Sequence, residues 1–444
     1  MKHQLLHISE RLRASFWVIP AIMMAAAILF AQGCLAFDQN RDLDQLPGMG
    51  WLTLRDPDSA RALLAAIASS TITVAGTVFS ITTVALTLAS NQFGPRLVRN
   101  FIRDRGTQIS LGIFLSTFVY ALLAMRGIDT SVPGNRHTLT ISFALLLTLA
   151  CIAYLIYFIH NVAQSIQIDN ITFQINSEFR SALDSIYPRE HCVDPRCRRE
   201  DLRRIHLGDD VLGVRAQKEG YVQRIDRQKL IEWASEHQCC IWLDIHPGTF
   251  LYHWGSIARI YNPPRHMDTR AIADVILSAI SLGPQPTAEQ DVIFSVRQLA
   301  QIAVRALSPG INDPFTAYTC IDRLIDGMGI VLQRPELPNC FSDDDKVLRL
   351  VATELDFADV LAAALDEIRE YGRDSGVVMR HLLSALNKLA EICTREADRT
   401  AMLTLIERLE EDCTMGIQNG FDTTTVQKQL NAMRNTLNSR PTLK

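Results

Sequence analysis

Four apolar runs open the chain, Phe16–Phe37, Leu63–Phe93, Ile109–Met125 and Leu139–Ile159, each bounded by charged segments. A helix crosses a bilayer core with about 20 apolar residues and with as few as about 17. The pattern therefore predicts four transmembrane helices within residues 1–160. The first run is longer than a typical signal-peptide core and lacks a clear A-x-A site, so it is expected to remain as an uncleaved span.

The second run is the most distinctive. Ser69, Thr73, Gly76, Thr77, Ser80, Thr87 and Asn91 fall within about 60° of one line when plotted at 100° per residue, with Val84 the apolar exception. Such a stripe either lines water or packs against another helix. Phe93 at the end of the run suits an apolar constriction, and Arg96 and Arg99 just beyond it suit an electropositive mouth.

Beyond the spans the periodicity changes. Asn161–Tyr187 reads as a helical continuation of span four that forms a stalk, ended by Pro188, with a charged linker to residue 210. Residues 211–262 are strand-like around Val214, Tyr221, Val222, Ile225, Ile241, Leu243 and Ile245, with a short helix over Arg227–Ser235. The piece DIHPGTFLYHWGSIARI resembles the closing half of biotinyl or lipoyl-type barrel-sandwich domains without their modifiable lysine, which supports a small β module and no carrier role. From residue 263 to 444 a helical bundle is expected, with helices over Thr269–Leu282, Thr287–Ala306, Pro314–Leu332, Asp343–Tyr371, Gly376–Cys393, Arg395–Met415 and Thr424–Leu437. The fold class is thus an α-helical membrane protein with a soluble region that holds a β module and an α-helical bundle.

Charge adds orientation. Lys2, Arg11 and Arg13 precede span one, and Arg96, Arg99, Arg103 and Arg105 lie between spans two and three. The positive-inside rule places both groups in the cytoplasm, so both termini and everything after His160 are expected to be cytosolic, with the bacterial inner membrane as host. A net charge of −4 gives no basic excess for nucleic acid. Ten cysteines lack a disulfide framework's spacing, and most lie downstream of residue 161, so a reducing compartment is expected for that region.

Candidate chemistry is sparse. Cys192 and Cys197 with His191 and His206 carry zinc-type ligands, but C-x4-C matches no standard knuckle and a charged linker is the preferred reading. His237 beside Cys239 and Cys240 reads as a solvent histidine next to core cysteines. Along Gln290–Leu324, Asp291, Arg297 and Arg305 interrupt an apolar helix face, and Asn312–Asp313–Pro314 starts the next helix. Buried ion pairs are the preferred reading there, with a small anionic ligand as the alternative. No G-x-S-x-G, Walker A, H-E-x-x-H or paired C-x2-C is present, so no enzyme, metal or cofactor is expected.

Two motifs carry a family resemblance. V-F-S-I-T-x-V-A-L-x-L-A-S-N-Q-F-x-P-R (Val78–Arg96) and R-A-L-S-P-G-I-N-D-P-F-T-A (Arg305–Ala317) resemble those of a widespread family of predicted bacterial membrane proteins. Asn91 and Gly94 stand where that family more often has serine. The resemblance implies a multi-span inner-membrane protein with a cytosolic C-terminal region and supplies no activity. On the residues, the preferred function is a homo-oligomeric pore lined by the span-two stripe and gated by the cytosolic region. The alternative is a membrane-anchored sensor or scaffold in which the stripe is a packing seam. An enzyme or a coupled transporter ranks last, because the four apolar cores contain no Asp, Glu, Lys, Arg or His.

Overall fold

The computed structural model describes residues 17–40, 57–93, 105–128, 138–165, 167–187, 210–265, 267–416 and 420–439. The chain divides into two compact units, Met1–Ile171 and Thr172–Lys444.

The first unit consists of α1 (Val18–Asn40), α2 (Pro57–Phe93), α3 (Arg105–Gly127) and α4 (Thr138–Ser165), all long and apolar enough to cross a membrane. Helix α2 begins six residues before its apolar run, because Pro57 suits a first helical turn and Asp58 favours the helix N-terminus. Helix α3 lies at the centre and packs against the other three. Gly112 and Gly127 let α1 approach it closely, since a Cβ at either position would collide with Met23 or Leu35. Tyr120, Phe114, Phe158 and Ile141 are fully buried and fill the interior. One end is tied by Asp38 at the close of α1, whose carboxylate accepts from Leu139 N–H (3.2 Å), Thr140 N–H (2.9 Å) and Thr140 Oγ1 (2.6 Å). Asp38 thereby caps the N-terminus of α4, whose first amide donors would otherwise be left without partners.

The expected stalk is two helices. Helix α4 ends at Ser165, and α5 (Ile168–Ile186) packs into the second unit, burying Ile175, Phe179 and Leu183. Arg180 pairs with Asp326 at 2.6 Å, and Arg334 donates to the carbonyls of Leu183 (2.8 Å) and Tyr187 (3.2 Å) while pairing with Asp184.

The β module contains β1 (Val211–Arg215), β2 (Gly220–Ile225), α6 (Arg227–Glu236), β3 (Cys240–Leu243), β4 (Phe250–Leu251) and β5 (Ser256–Tyr261), close to the expected strands and short helix. It extends further than residues 211–262. After α7 (Thr269–Ser278), β6 (Ile280–Gly283) pairs with β2, and β7 (Cys340–Ser342) and β8 (Leu348–Val351) join the larger sheet. The sheets run β1-β5-β3-β8-β7 and β4-β2-β6 around a core that includes Val222, Leu230, Ile241, Ile260, Ile276 and Leu350.

Three strands therefore correct the expectation of a purely helical region after 263. Ile280–Gly283 overlaps the end of the helix expected over Thr269–Leu282 and forms a strand because β2 offers it a register, Ile225 opposite Ile280. Leu348–Val351 pairs in parallel with β3, and tertiary pairing of this kind overrides local periodicity. A turn at Asp343–Lys346, with Lys346 at φ 61°, keeps that segment from being helical.

The remaining helices are α8 (Val292–Ala306), α9 (Pro314–Gln333), α10 (Phe357–Gly372), α11 (Gly376–Ala390), α12 (Glu396–Gly416) and α13 (Gly420–Ser439). Helix α10 starts fourteen residues later than its apolar run suggested, at a capping box in which Asp356 and Asp359 bond each other's backbone N–H.

Candidate functional site

Helix α2 is 37 residues long, which at 1.5 Å per residue is about 55 Å, well beyond the ~30 Å of a bilayer core. Its two faces are distinct. Ala60, Leu64, Ile67, Ala68, Thr71, Ala75, Val78 and Ala85 are buried in the membrane unit. Ser69, Thr73, Gly76, Thr77, Ser80 and Thr87 are all exposed. At 100° per residue the two sets centre about 180° apart. The stripe thus points away from α1, α3 and α4, flanked by exposed Ile72 and Phe79 on one side and Ile81 and Leu88 on the other.

Four hydroxyls along this face bond to their own helix. Ser69 donates to the Ala66 carbonyl (3.1 Å), Thr73 to Ser69 (2.8 Å), Thr77 to Thr73 (3.1 Å) and Thr87 to Thr83 (2.9 Å). The face therefore does not need water or a partner to satisfy these donors. A Cβ added at Gly76 would meet nothing within 4 Å, so Gly76 leaves a shallow hollow on the outer surface instead of admitting a neighbour from within the unit.

Phe93 closes α2 and Asn91 lies in its last turn. The expected mouth residues Arg96 and Arg99, and the cysteines Cys192 and Cys197, lie outside the described residues. Among the described residues no cluster of His, Cys, Asp and Glu could hold a metal ion. Cys239 and Cys240 are buried, and burial pushes the Cys239 thiol up to about 11, away from nucleophile chemistry.

The second expected site is not gathered in one place. Asp291 caps α8, accepting from Phe294 N–H at 3.2 Å, and burial raises its carboxyl despite that bond and the nearby His246 and Arg297. Asp313 caps α9, accepting from Thr316 N–H at 3.2 Å and Thr316 Oγ1 at 2.5 Å. The two aspartates stand toward opposite ends of a 15-residue helix about 22 Å long, Asp313 through its N–H on the Ala306 carbonyl. Arg297 is exposed, Arg305 half-buried, and Asn312 exposed in a left-handed conformation at φ 49°. Near Asp291, a cavity of about 20 Å³ bordered by Tyr187, His246, Gln290 and Glu354 has room for roughly one water.

Sequence periodicity missed the polar residues buried along α3 inside the membrane unit. Thr107, Gln108, Ser110, Ser116 and Thr117 are buried there. Thr117 donates to the Ile113 carbonyl (2.8 Å), the Cys151 thiol donates to Thr117 Oγ1 (3.3 Å), and Tyr120 donates to the Thr140 carbonyl (3.0 Å). Their spacing along one short run was visible, but it did not stand out beside the longer stripe of α2.

Residues 13–388 match the family described as "Predicted membrane protein (DUF2254)". An uncharacterized protein of Mycobacterium tuberculosis, MT1328, is 29% identical over 419 residues, which cover 90% of this chain and 76% of its own length. An uncharacterized protein of Mycobacterium bovis, Mb1321c, is similar to the same extent. No solved structure matches the chain.

Proposed function

Because the chain belongs to the DUF2254 family of predicted membrane proteins, we propose that copies of it assemble in the bacterial inner membrane into a pore for ions or small solutes. The pore is lined by the outward face of α2 and gated by the soluble unit, with both termini in the cytosol. One observation carries this reading: the exposed hydroxyl stripe lies opposite the packed face of α2. Side chains such as Tyr120, Phe114 and Phe158 fill the interior of the described four-helix unit, so a water path has to run between copies. A ring of protomers presents one identical α2 face per copy to that path.

A second reading has its own observation. Thr73 and Thr77 already donate to carbonyls of their own helix one turn earlier, and the hollow at Gly76 suits close approach of a helix from another copy. The stripe would then be the seam of a scaffold without a pore.

The test is to purify the protein, measure its oligomeric state and record ion flux in liposomes. An oligomer with conductance supports the pore; a monomer with no conductance under any tested condition overturns it. Thr77→Leu and Ser80→Leu separate the two readings. A pore loses or changes conductance while still assembling, whereas a seam loses assembly.

A further inference from the structure

The β half of the soluble unit exposes a continuous row of aromatic rings. Tyr221 on β2 meets Phe250 on β4 at 5.0 Å, Phe250 meets Tyr252 at 5.1 Å, and Tyr252 stacks on Trp254 at 5.1 Å and 17°. Tyr252 is 53% and Trp254 64% exposed, although large rings usually gain most from burial. The loop that carries them is fixed, because the Ala216 N–H donates to the Gly255 carbonyl at 2.9 Å. That bond joins the loop to the hairpin that bears the exposed Arg215, Lys218 and Glu219.

We propose that this tip seats in the headgroup layer of the bilayer that holds the protein's own spans. Tyrosine and tryptophan combine an apolar body with a polar hydroxyl or indole N–H, the combination that favours the membrane–water interface. Arg215 and Lys218 complement anionic headgroups from the same edge. The second unit is joined covalently to the spans, and such a tether raises the effective concentration of a weak interfacial contact.

The full chain is reconstituted in vesicles of phosphatidylethanolamine and phosphatidylglycerol that carry a spin label near the headgroup. Wild type is compared with Trp254→Phe, a change of one exposed ring for another that leaves the fold in place. The fluorescence difference between the two reports Trp254 alone. The expected result is that this difference is quenched by the spin-labelled lipid and shielded from aqueous acrylamide. A Trp254 signal that acrylamide quenches freely and the lipid label does not touch overturns the proposal. Shielding from both quenchers also overturns it, since a protein surface then covers the rings.

Discussion

At the scale of single residues, Asp343 carries a well-defined electrostatic arrangement in the second unit. Its carboxylate accepts from Arg349 Nε at 2.6 Å, from the Ser235 hydroxyl at 2.9 Å and from the Val347 N–H at 2.9 Å. The Arg349 hydrogen bond above all, with the other two donors, holds the Asp343 carboxyl at about 2, below its ordinary 3.8. A depressed carboxyl stabilises the fold fully above its unfolded value, and that stability is lost as pH falls through the folded value. The expected outcome is that Asp343→Asn lowers the melting temperature at neutral pH, and that its gap from wild type closes as pH falls from 4 toward 2. Thermal unfolding across that range checks it. A gap independent of pH would show that the carboxylate's charge is immaterial. In the sequence, Asp343 looked like the start of a long helix, because nothing local announces a partner arginine beyond a turn. The caps Asp291 and Asp313 were legible, since a cap needs only the residues that follow it.

At the scale of elements, the close crossing of α5 and α9 rests on Gly327. Any Cβ there would collide with the ring of Phe179, which is fully buried. In an isolated helix alanine is favoured over glycine, so Gly327→Ala would stabilise α9 if the helix stood alone. Overpacking wins here, with an expected destabilisation of about 1–3 kcal/mol read by thermal or denaturant unfolding. A variant as stable as wild type would mean that α5 can move away at little cost. The same crossing explains why α5 was hard to place from sequence. Its apolar positions show an amphipathic helix, but a periodic face does not say which element covers it. Strands β6 and β8 escaped for a related reason, since four-residue apolar segments are strands only once a neighbouring strand pairs with them.

At the scale of the whole molecule, the four spans were readable because crossing a bilayer sets a length and an apolarity that a single sequence reports directly. Which way α2 turns its hydroxyls was not readable, since that depends on α3 occupying the centre of the unit. The assignment of α5 to the second unit has a measurable consequence: a fragment of residues 168–444 is expected to be soluble and to unfold in one cooperative transition. A fragment beginning at residue 190 exposes the surfaces that Phe179, Leu183 and Tyr187 cover, and is expected to aggregate or to melt at lower temperature. Equal behaviour of the two would contradict the packing of α5. The bonds along α2 carry one more consequence. Ser69, Thr73, Thr77 and Thr87 give their protons to carbonyls of their own helix, so the oxygens have only lone pairs left to offer outward. At these four positions the outer face of α2 offers lone pairs, which accept hydrogen bonds from water and coordinate cations.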